Sequence, residues 1–488
     1  MSVMAPADTP SPTDVMRSRT VVSKTATDAT ATLGSVLRRG LPWAGMLACA
    51  VLFLSADVTW RGPLLLGLAV ALWAFNVLPD FAVGFGLVVG WNLLGVGRPE
   101  TSLSGFSSPT WFLLIAILAL AAGLVASGVL ERIAIRLLLL FPATFTGQTV
   151  ALLLGGLLIT PALPLTVARS AMTAPLAGIL ARTLGYQPGS PPAVGIGLAA
   201  FVGAGLMSRG FLSGAALNFI AWGLLPPAAR PSWLWWALAA LPVTLVTAFG
   251  SLAIIVSAFR PTSDAPLPAD LLKAQLRERG PLTRDEGLVA AASLAVFCGF
   301  IVAPPSINGA WLAGLGFLAL LAFGILKRDQ IRNGLDWPLL LFLGVTLSLP
   351  GMVHELGLDT RIVSLVVHLL PPAHCSPVWS LAALLLLTLG VRVVLSEWVA
   401  VPLLTVALLP AAPALDLHPW VIAFIVLLGS NMWTLPHQYA SYVAFVAGSG
   451  GALWSHRQVW PFSLAYMGLI LVGLMVSVPW WRLLGLAR

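Results

Sequence analysis

Four stretches of this chain set polar or helix-breaking residues inside long apolar runs, and they are where chemistry could occur. The first is Thr160-Pro161-Ala162-Leu163-Pro164-Leu165-Thr166-Val167-Ala168-Arg169. Its two prolines remove backbone donors and unwind a helix. The helix that restarts beyond them aims its free N–H groups back at the break, a setting that favours an anion. The second half of the chain carries a counterpart, Leu395-Ser396-Glu397-Trp398, followed by Pro402. The other two stretches are Ser208-Arg209-Gly210-Phe211-Leu212-Ser213-Gly214-Ala215-Ala216-Leu217-Asn218 and Leu435-Pro436-His437-Gln438-Tyr439-Ala440-Ser441-Tyr442. Polar residues this dense are costly at membrane depth unless they face a cavity or a partner. Taken singly, each proline break competes with an ordinary kink, and Ser213 and Asn218 with plain helix–helix hydrogen bonding. His437 and Gln438, directly after Pro436, read as lining a polar cavity. The chemistry on offer is recognition of a small anion. The clustered His, Asp or Ser that a membrane-embedded enzyme displays on a helix face is not found.

The composition dictates the solvent. Of 488 residues, 58% are hydrophobic and only 9% charged, and the mean hydropathy is +0.95. A soluble domain carries roughly 25% charged residues, so this chain could not cover a water-facing surface. That excludes a soluble enzyme, a nucleic-acid binder and a disordered scaffold, and the bilayer must be the main solvent. A β-barrel would alternate apolar and polar residues, which this sequence does not do. The net charge of +8 resembles a nucleic-acid signature, but the basic residues are spread between apolar runs and fit positive-inside topology better. Cys49, Cys298 and Cys375 are odd in number and far apart, giving neither a disulfide framework nor a metal motif. His354, His368 and His374 match no metal spacing.

The elements that must position the four breaks follow from the apolar runs. Spans are expected at 41–59, 63–78, 81–97, 108–130, 191–225, 232–259, 286–303, 307–326, 336–358, 419–447 and 459–481, eleven in all. Two further stretches, 143–185 and 376–413, break near their middles and read as re-entrant hairpins that leave by the side they entered. The first 40 residues, rich in Ser, Thr, Ala and Pro, are too many for a secretory n-region and read as a disordered cytoplasmic tail. With the N-terminus inside, most of the 26 Lys and Arg, Arg132 and the basic loop 260–285 among them, fall on the cytoplasmic side, and the C-terminus lies outside. The polar linker 260–285 separates two related halves, 41–259 and 286–488. Gly128-Val129-Leu130-Glu131-Arg132-Ile133 aligns with Gly357-Leu358-Asp359-Thr360-Arg361-Ile362, and the match continues through Leu140 with Leu369 and Pro142 with Pro371. One copy falls inside and the other outside, so the repeats are inverted. Inverted repeats with discontinuous helices characterise secondary transporters, whose sites form where the repeats meet near mid-membrane.

Leu103-Ser104-Gly105-Phe106-Ser107-Ser108-Pro109 ahead of a span resembles the opening signature of the divalent anion/sodium symporter family, the carboxylate and sulfate carriers. Gly280-Pro281-Leu282-Thr283-Arg284-Asp285-Glu286 resembles that family's mid-chain segment, and Ser213-Gly214 with Asn218 downstream resembles its Thr-Gly…Asn element. The order and spacing of these motifs cover about residues 60–485. The resemblance implies a homodimer in which a fixed scaffold holds a transport domain of two hairpins and two broken helices. That domain slides across the membrane with its anion, as an elevator. It also implies Ser-Asn-Thr at each hairpin tip, binding substrate carboxylate and helping to hold sodium. Here the tips read Leu165-Thr166-Val167 and Ser396-Glu397-Trp398, so only Ser396 is retained in place, with Thr166 as a substitute hydroxyl. The family's Thr-Pro-Pro-Asn in the last broken helix is here Tyr439-Ala440-Ser441-Tyr442.

These departures bear on coupling. Fewer hydroxyls and amides weaken both sodium sites, and an unpaired, ionised Glu397 would repel an anion. Glu397 has three available roles: pairing with Arg169 or Arg392, ligating a cation, or titrating and so coupling transport to protons. Arg169 and Arg209 either attract the anion or snorkel to the interface. Trp480-Trp481-Arg482 reads as an interfacial anchor.

The sequence thus describes an all-α polytopic membrane protein with about eleven spans and two re-entrant hairpins. Its expected function is secondary transport of a small anion, di- or tricarboxylate ahead of sulfate, across the inner membrane. The expected substrate-binding set is Pro164, Leu165, Thr166, Val167, Arg169, Ser213, Gly214, Asn218, Ser396, Glu397, Trp398, Pro436, His437, Gln438, Tyr439 and Ser441. A sodium or proton site is expected near Thr166, Ser396 and Glu397, with exchange as the third mode of coupling. No other cofactor and no nucleic acid is expected. The alternatives are an arsenite or cation/proton antiporter with Glu397 carrying the cation, a membrane-embedded enzyme, and a receptor that binds without transporting.

Overall fold

The structure, a computed structural model, describes residues 57–262, 269–302, 307–369, 377–451 and 453–487. The expected tail 1–40, nearly all of the first span, Cys49, His374, Cys375 and part of the linker lie outside the described residues. Helices make up 79% of the described residues, which pair in β fashion only at an isolated bridge between Leu417 and Ala487. Two compact units divide after Leu78. The first contributes α1 (Val58–Ala74), and all four breaks lie in the second.

The second unit runs α2 (Asp80–Leu93), α3 (Pro109–Ser127), α4 (Val129–Leu140), α5 (Phe145–Ile159), α6 (Thr166–Thr183), α7 (Pro191–Ala204), α8 (Ala216–Leu224) and α9 (Trp233–Ala258). After the linker helix α10 (Ala269–Glu278) come α11 (Arg284–Val302), α12 (Gly309–Ala322), α13 (Trp337–Glu355), α14 (Leu358–Leu369), α15 (Pro377–Val394), α16 (Glu397–Leu408), α17 (Pro419–Ser430), α18 (Ala440–Gly448) and α19 (His456–Leu483). Seven described segments are long and apolar enough to cross a membrane. Helices α2 and α12 have 14 residues each, about 21 Å at 1.5 Å per residue, and so are shorter than the spans expected there.

One order of elements occurs twice. A span (α3, α13) ends at a glycine in the left-handed region, Gly128 at φ 73° and Gly357 at φ 63°. A 12-residue amphipathic helix follows (α4, α14), then a helix pair broken in the middle, a broken helix and a long helix. An L-residue with a side chain pays about 1–2 kcal/mol in that backbone conformation, which is why both copies of the aligned segment begin with glycine.

Both helix pairs double back. Phe145, at the start of α5, meets Tyr186, just past the end of α6, with ring centroids 6.2 Å apart. The turn between them lies against the break that follows α7: the Pro164 carbonyl accepts the Ala216 N–H at 3.0 Å. In the second copy α15 packs on α16, and α14 packs against α16 and the turn 409–411 that follows it. Helices α7 and α17 are apolar on every side, and both are buried along nearly their whole length, as the interior of a helical protein requires. Packing repeats as well: α6 lies on α7 and α18, and α16 on α17 and α8.

The motifs that carry the family resemblance prove to be joints. A Cβ on Gly105 would stand 2.0 Å from the Gly344 carbonyl oxygen, and the Gly105 N–H donates to Ser348 Oγ at 2.9 Å, so this turn seats α3 on α13. Ser108 accepts the Trp111 N–H as N-cap, with Pro109 at the first helical position. In the mid-chain motif Glu286 accepts the Thr283 N–H at 2.8 Å and forms an ion pair with Arg132 at 3.0 Å. Arg132 also donates to the Gly280 carbonyl. Arg132 is buried at 2% exposure. Trp481, expected as an interfacial anchor, is fully buried against Trp420 and Phe424 and donates to the Ala239 carbonyl at 2.8 Å.

Candidate anion-binding site

Arg209 is the hub of the breaks. It lies in the tight turn Leu206–Gly210 between α7 and α8 and is buried. Its guanidinium donates to Asn218 Oδ1 at 3.0 Å, Asn431 Oδ1 at 3.0 Å and Ser430 Oγ at 2.9 Å. It stands 3.6 Å from the Glu397 carboxylate. The Asn218 amide donates to the Ser208 and Phe211 carbonyls, and the Asn431 amide to the Leu206 carbonyl. Each asparagine thus satisfies backbone that the unwound turns leave without helical partners while presenting its oxygen to Arg209. One side chain connects both broken helices and the second hairpin tip.

Two further arginines do a related job, one per hairpin. Arg169, three residues past the start of α6, donates to the carbonyls of Ala204 at 2.7 Å, Thr160 at 3.4 Å, Gly214 at 2.9 Å and Leu163. Arg392, near the end of α15, donates to the carbonyls of Leu395 at 2.5 Å and Gln438. In each case a guanidinium binds a carbonyl of its own hairpin tip and one from the break of the broken helix in the same half. Gly214 is glycine for a local reason: a Cβ there would stand 2.1 Å from the Ser208 carbonyl oxygen.

The expected site residues divide into a locked interior and a more open rim. Pro164, Arg169, Ser213, Gly214, Asn218, Glu397, Gln438, Tyr439 and Ser441 are buried. Ser213 accepts the Trp233 indole N–H at 2.9 Å, and the Tyr439 hydroxyl donates to the Gly205 carbonyl at 3.2 Å, tying the two breaks together. Leu165, Thr166 and Trp398 are half-buried, while Val167, Ser396, Pro436 and His437 are exposed. His437 therefore does not line an interior cavity, and the Gln438 side chain accepts from Thr434 and from the Leu435 N–H in its own loop. The second break unwinds at 431–439, four residues earlier than expected, which places Ser441 and Tyr442 inside α18.

The ion-pair partner of Glu397 is Arg209, where the sequence offered Arg169 or Arg392. Arg169 and Arg209 do not snorkel; both are interior. Asn431 and Ser430 were missed because they precede the stretch 435–442 in which the break was expected, and they join the site only through Arg209.

The electrostatic consequence is simple. Arg169, Arg209 and Arg392 are buried at 2%, 2% and 1% exposure, and Glu397 at 4%. Arg209 lies within electrostatic reach of the other three. Three guanidinium groups against one carboxylate leave two positive charges in excess. At ~4 Å and an effective dielectric of ~20 a unit pair is worth roughly 4 kcal/mol, which sets the scale on which this excess charge acts. A cavity of about 610 Å³ lies behind the first hairpin, among α4, α5, α6 and α10, with Leu163 and Arg169 in its lining and Glu131, Glu278 and Arg279 among its polar residues. It reaches only the back of the site. No cluster of His, Cys, Asp and Glu among the described residues could hold a metal ion.

Known proteins share this sequence pattern. Dicarboxylate transporter 2.1, chloroplastic, of Arabidopsis thaliana is 26% identical over 285 residues, 56% of this chain and 50% of that protein. Dicarboxylate transporter 1, chloroplastic, of the same plant is 24% identical over 398 residues, 79% and 71% of the two chains. The inner membrane protein YbhI of Escherichia coli is 25% identical over 300 residues, 60% and 63% of the two. The chain thus spans about half the length of the first of these relatives. The profile of the sodium:sulfate symporter transmembrane region matches residues 48–487. This is a family of transporters rather than enzymes, and the helical fold is that of a multi-pass membrane protein. From Gly105 to the buried arginines, the chain belongs to the sodium:sulfate symporter transmembrane region family.

Proposed function

We propose that the protein exchanges small dianions, dicarboxylates first among them, across the cytoplasmic membrane without sodium. The observation that carries this is the use of the tip and break carbonyls. A sodium ion at either tip would need several oxygen ligands, and the carbonyls of Thr160, Leu163, Gly214, Leu395 and Gln438 already accept from Arg169 and Arg392. Fixed guanidinium charge then takes the place of a bound cation. A centre with two unbalanced positive charges is stable in the bilayer when a dianion fills it and costly when empty. Loaded carriers return more readily than empty ones, which is the condition for exchange. Glu397, paired with Arg209, serves this centre as an internal counter-charge rather than as the proton carrier. The dicarboxylate preference follows the names of the plant relatives.

The proposed architecture places the N-terminus inside, the two doubled-back pairs as re-entrant hairpins from opposite faces, and the rim of Thr166, Val167, Ser396 and Trp398 against the substrate. The carrier works as a homodimer. Counterflow in proteoliposomes tests the coupling. Uptake of labelled succinate should require internal dicarboxylate and should not change when sodium replaces choline. Sodium-dependent accumulation into vesicles lacking internal anion would overturn the exchange reading.

A further inference from the structure

His456 opens α19, directly after the N-cap Ser455, and its imidazole reaches back to the second break. Nε2 lies 3.0 Å from the Thr434 carbonyl oxygen, and Nδ1 lies 2.9 Å from the Tyr442 hydroxyl. A carbonyl only accepts, so Nε2 carries the proton. In the neutral ring Nδ1 then accepts, and Tyr442 donates to it. The Tyr442 oxygen accepts in turn from the Trp454 indole N–H at 3.3 Å. The start of the helix is itself fixed. The Ser455 N–H donates to Gln458 Oε1 at 2.9 Å, and the Gln458 amide donates to the Gly189 carbonyl at 2.8 Å.

The contacts continue into the site. Thr434, whose carbonyl His456 holds, donates its hydroxyl to Gln438 Oε1 at 2.9 Å, and the Leu435 N–H donates to the same oxygen at 2.8 Å. The Gln438 backbone carbonyl is the one that Arg392 of the second hairpin binds. One loop thus links His456 to a guanidinium of the charge centre. A shallow cavity of about 320 Å³, lined by Thr434, Leu435, His456, Arg457 and Trp460, opens beside the ring. The titratable or charged groups on the segments around the ring are His437, Tyr439 and Tyr442, with Arg457 on its own helix and Arg169 and Arg182 on α6, which packs on α18. None is a carboxylate, so a second proton on the imidazole gains no counter-ion from them. That proton would also turn Nδ1 into a donor. The buried Tyr442 hydroxyl, already accepting from Trp454, would then lose the acceptor for its own proton.

We propose that His456 is a positioning residue for anion exchange: the neutral imidazole holds the second break in the shape that sets the Gln438 carbonyl on Arg392, and protonation releases it. This rests on the reading of the site as a dianion exchanger. A competent state populated for only part of the time weakens apparent affinity by that fraction, so the KM for succinate counterflow should rise about 3- to 10-fold between about pH 8 and about pH 6. The maximal rate should change little. Succinate titrates alike in every assay, so the ratio of variant to wild type isolates the protein. His456→Gln keeps an N–H for the Thr434 carbonyl and cannot titrate. Its KM should stay within about 3-fold of wild type at the higher pH and fall below wild type at the lower. His456→Leu, which loses both bonds, should show a raised KM at both. A second measurement needs no transport. Amide hydrogen exchange over residues 431–439 in the purified, substrate-free protein should be faster in wild type than in His456→Gln at about pH 6 and equal at about pH 8. Wild type and His456→Gln sharing one pH profile in counterflow and in hydrogen exchange overturns the positioning role alone. Wild-type protein without counterflow at either pH overturns the exchange reading, and hydrogen exchange then decides His456 by itself.

Discussion

Replacing Arg169 distinguishes a structural guanidinium from a substrate ligand. Its side chain donates to four backbone carbonyls, on Thr160, Leu163, Ala204 and Gly214. These belong to three separate segments: the first hairpin tip, the end of α7 and the turn before α8. A charge-assisted bond of this kind contributes about 1.5–3 kcal/mol. Lysine keeps the charge but offers three donors from one point, so Arg169→Lys leaves at least one buried carbonyl unmet and loses the planar spread that joins three segments. We expect it to cost about 2–3 kcal/mol. Arg169→Ala should cost about 3–5 kcal/mol, less than the four bonds summed because water reaches part of the gap. For a chain this long ~1 kcal/mol moves Tm by roughly 1 °C. The assay is thermal unfolding of the detergent-purified protein, with succinate affinity measured in parallel. Lysine should lower Tm by about 2–3 °C while Kd stays within about 3-fold, because the charge is kept and the N–H groups were directed at carbonyls. An unchanged Tm with a ten-fold loss of affinity would show that the guanidinium holds substrate, and the carbonyl argument would be refuted.

Glu397→Gln removes the one buried carboxylate of the charge centre and leaves Arg209 without its counter-ion, a loss of about 3–5 kcal/mol for the empty protein. The excess then rises from two positive charges to three, which attracts a dianion more strongly, so the succinate-induced rise in Tm should be larger in this variant than in the wild type; an equal rise would mean that the two charges are not coupled. The pH dependence of exchange should survive the same substitution, since Glu397 is a fixed counter-charge, and its abolition would identify a proton carrier. Gly214→Ala puts a methyl group 2.1 Å from the Ser208 oxygen and should lower Tm by an amount matching about 1–3 kcal/mol of overpacking, whereas a fully stable variant would show that the turn is loose. Trp481→Ala should cost about 3–5 kcal/mol as a buried aromatic deletion; an interfacial tryptophan would cost far less, and the melting curve separates the two.

Much of the fold was legible because it depends on near neighbours in sequence. Apolar runs locate helices whatever they later pack against. The glycine that starts α4 and its counterpart before α14 recur because one backbone turn recurs, and the aligned segments became two helices of equal length. The proline-bearing break at 160–166 came out unwound, since a missing donor disrupts a helix in any environment, and so did the proline-free break at 205–215, which carries three glycines. The second broken helix was less readable: it opens at Asn431, ahead of the proline, where the Asn431 side chain accepts from Arg209 and donates to the distant Leu206 carbonyl.

Residue types and their order were enough for the solvent, the helical class, the repeat and the four places where helices stop, all of which follow from composition and from local backbone chemistry. They were not enough to say which arginine serves Glu397, that Arg169 and Arg392 spend their donors on carbonyls, or that Trp481 is core. Those are pairings between residues tens to hundreds of positions apart. Hydropathy assigns a buried guanidinium the same cost wherever it lies, and only the packing of α7 and α17 decides which oxygen atoms surround it.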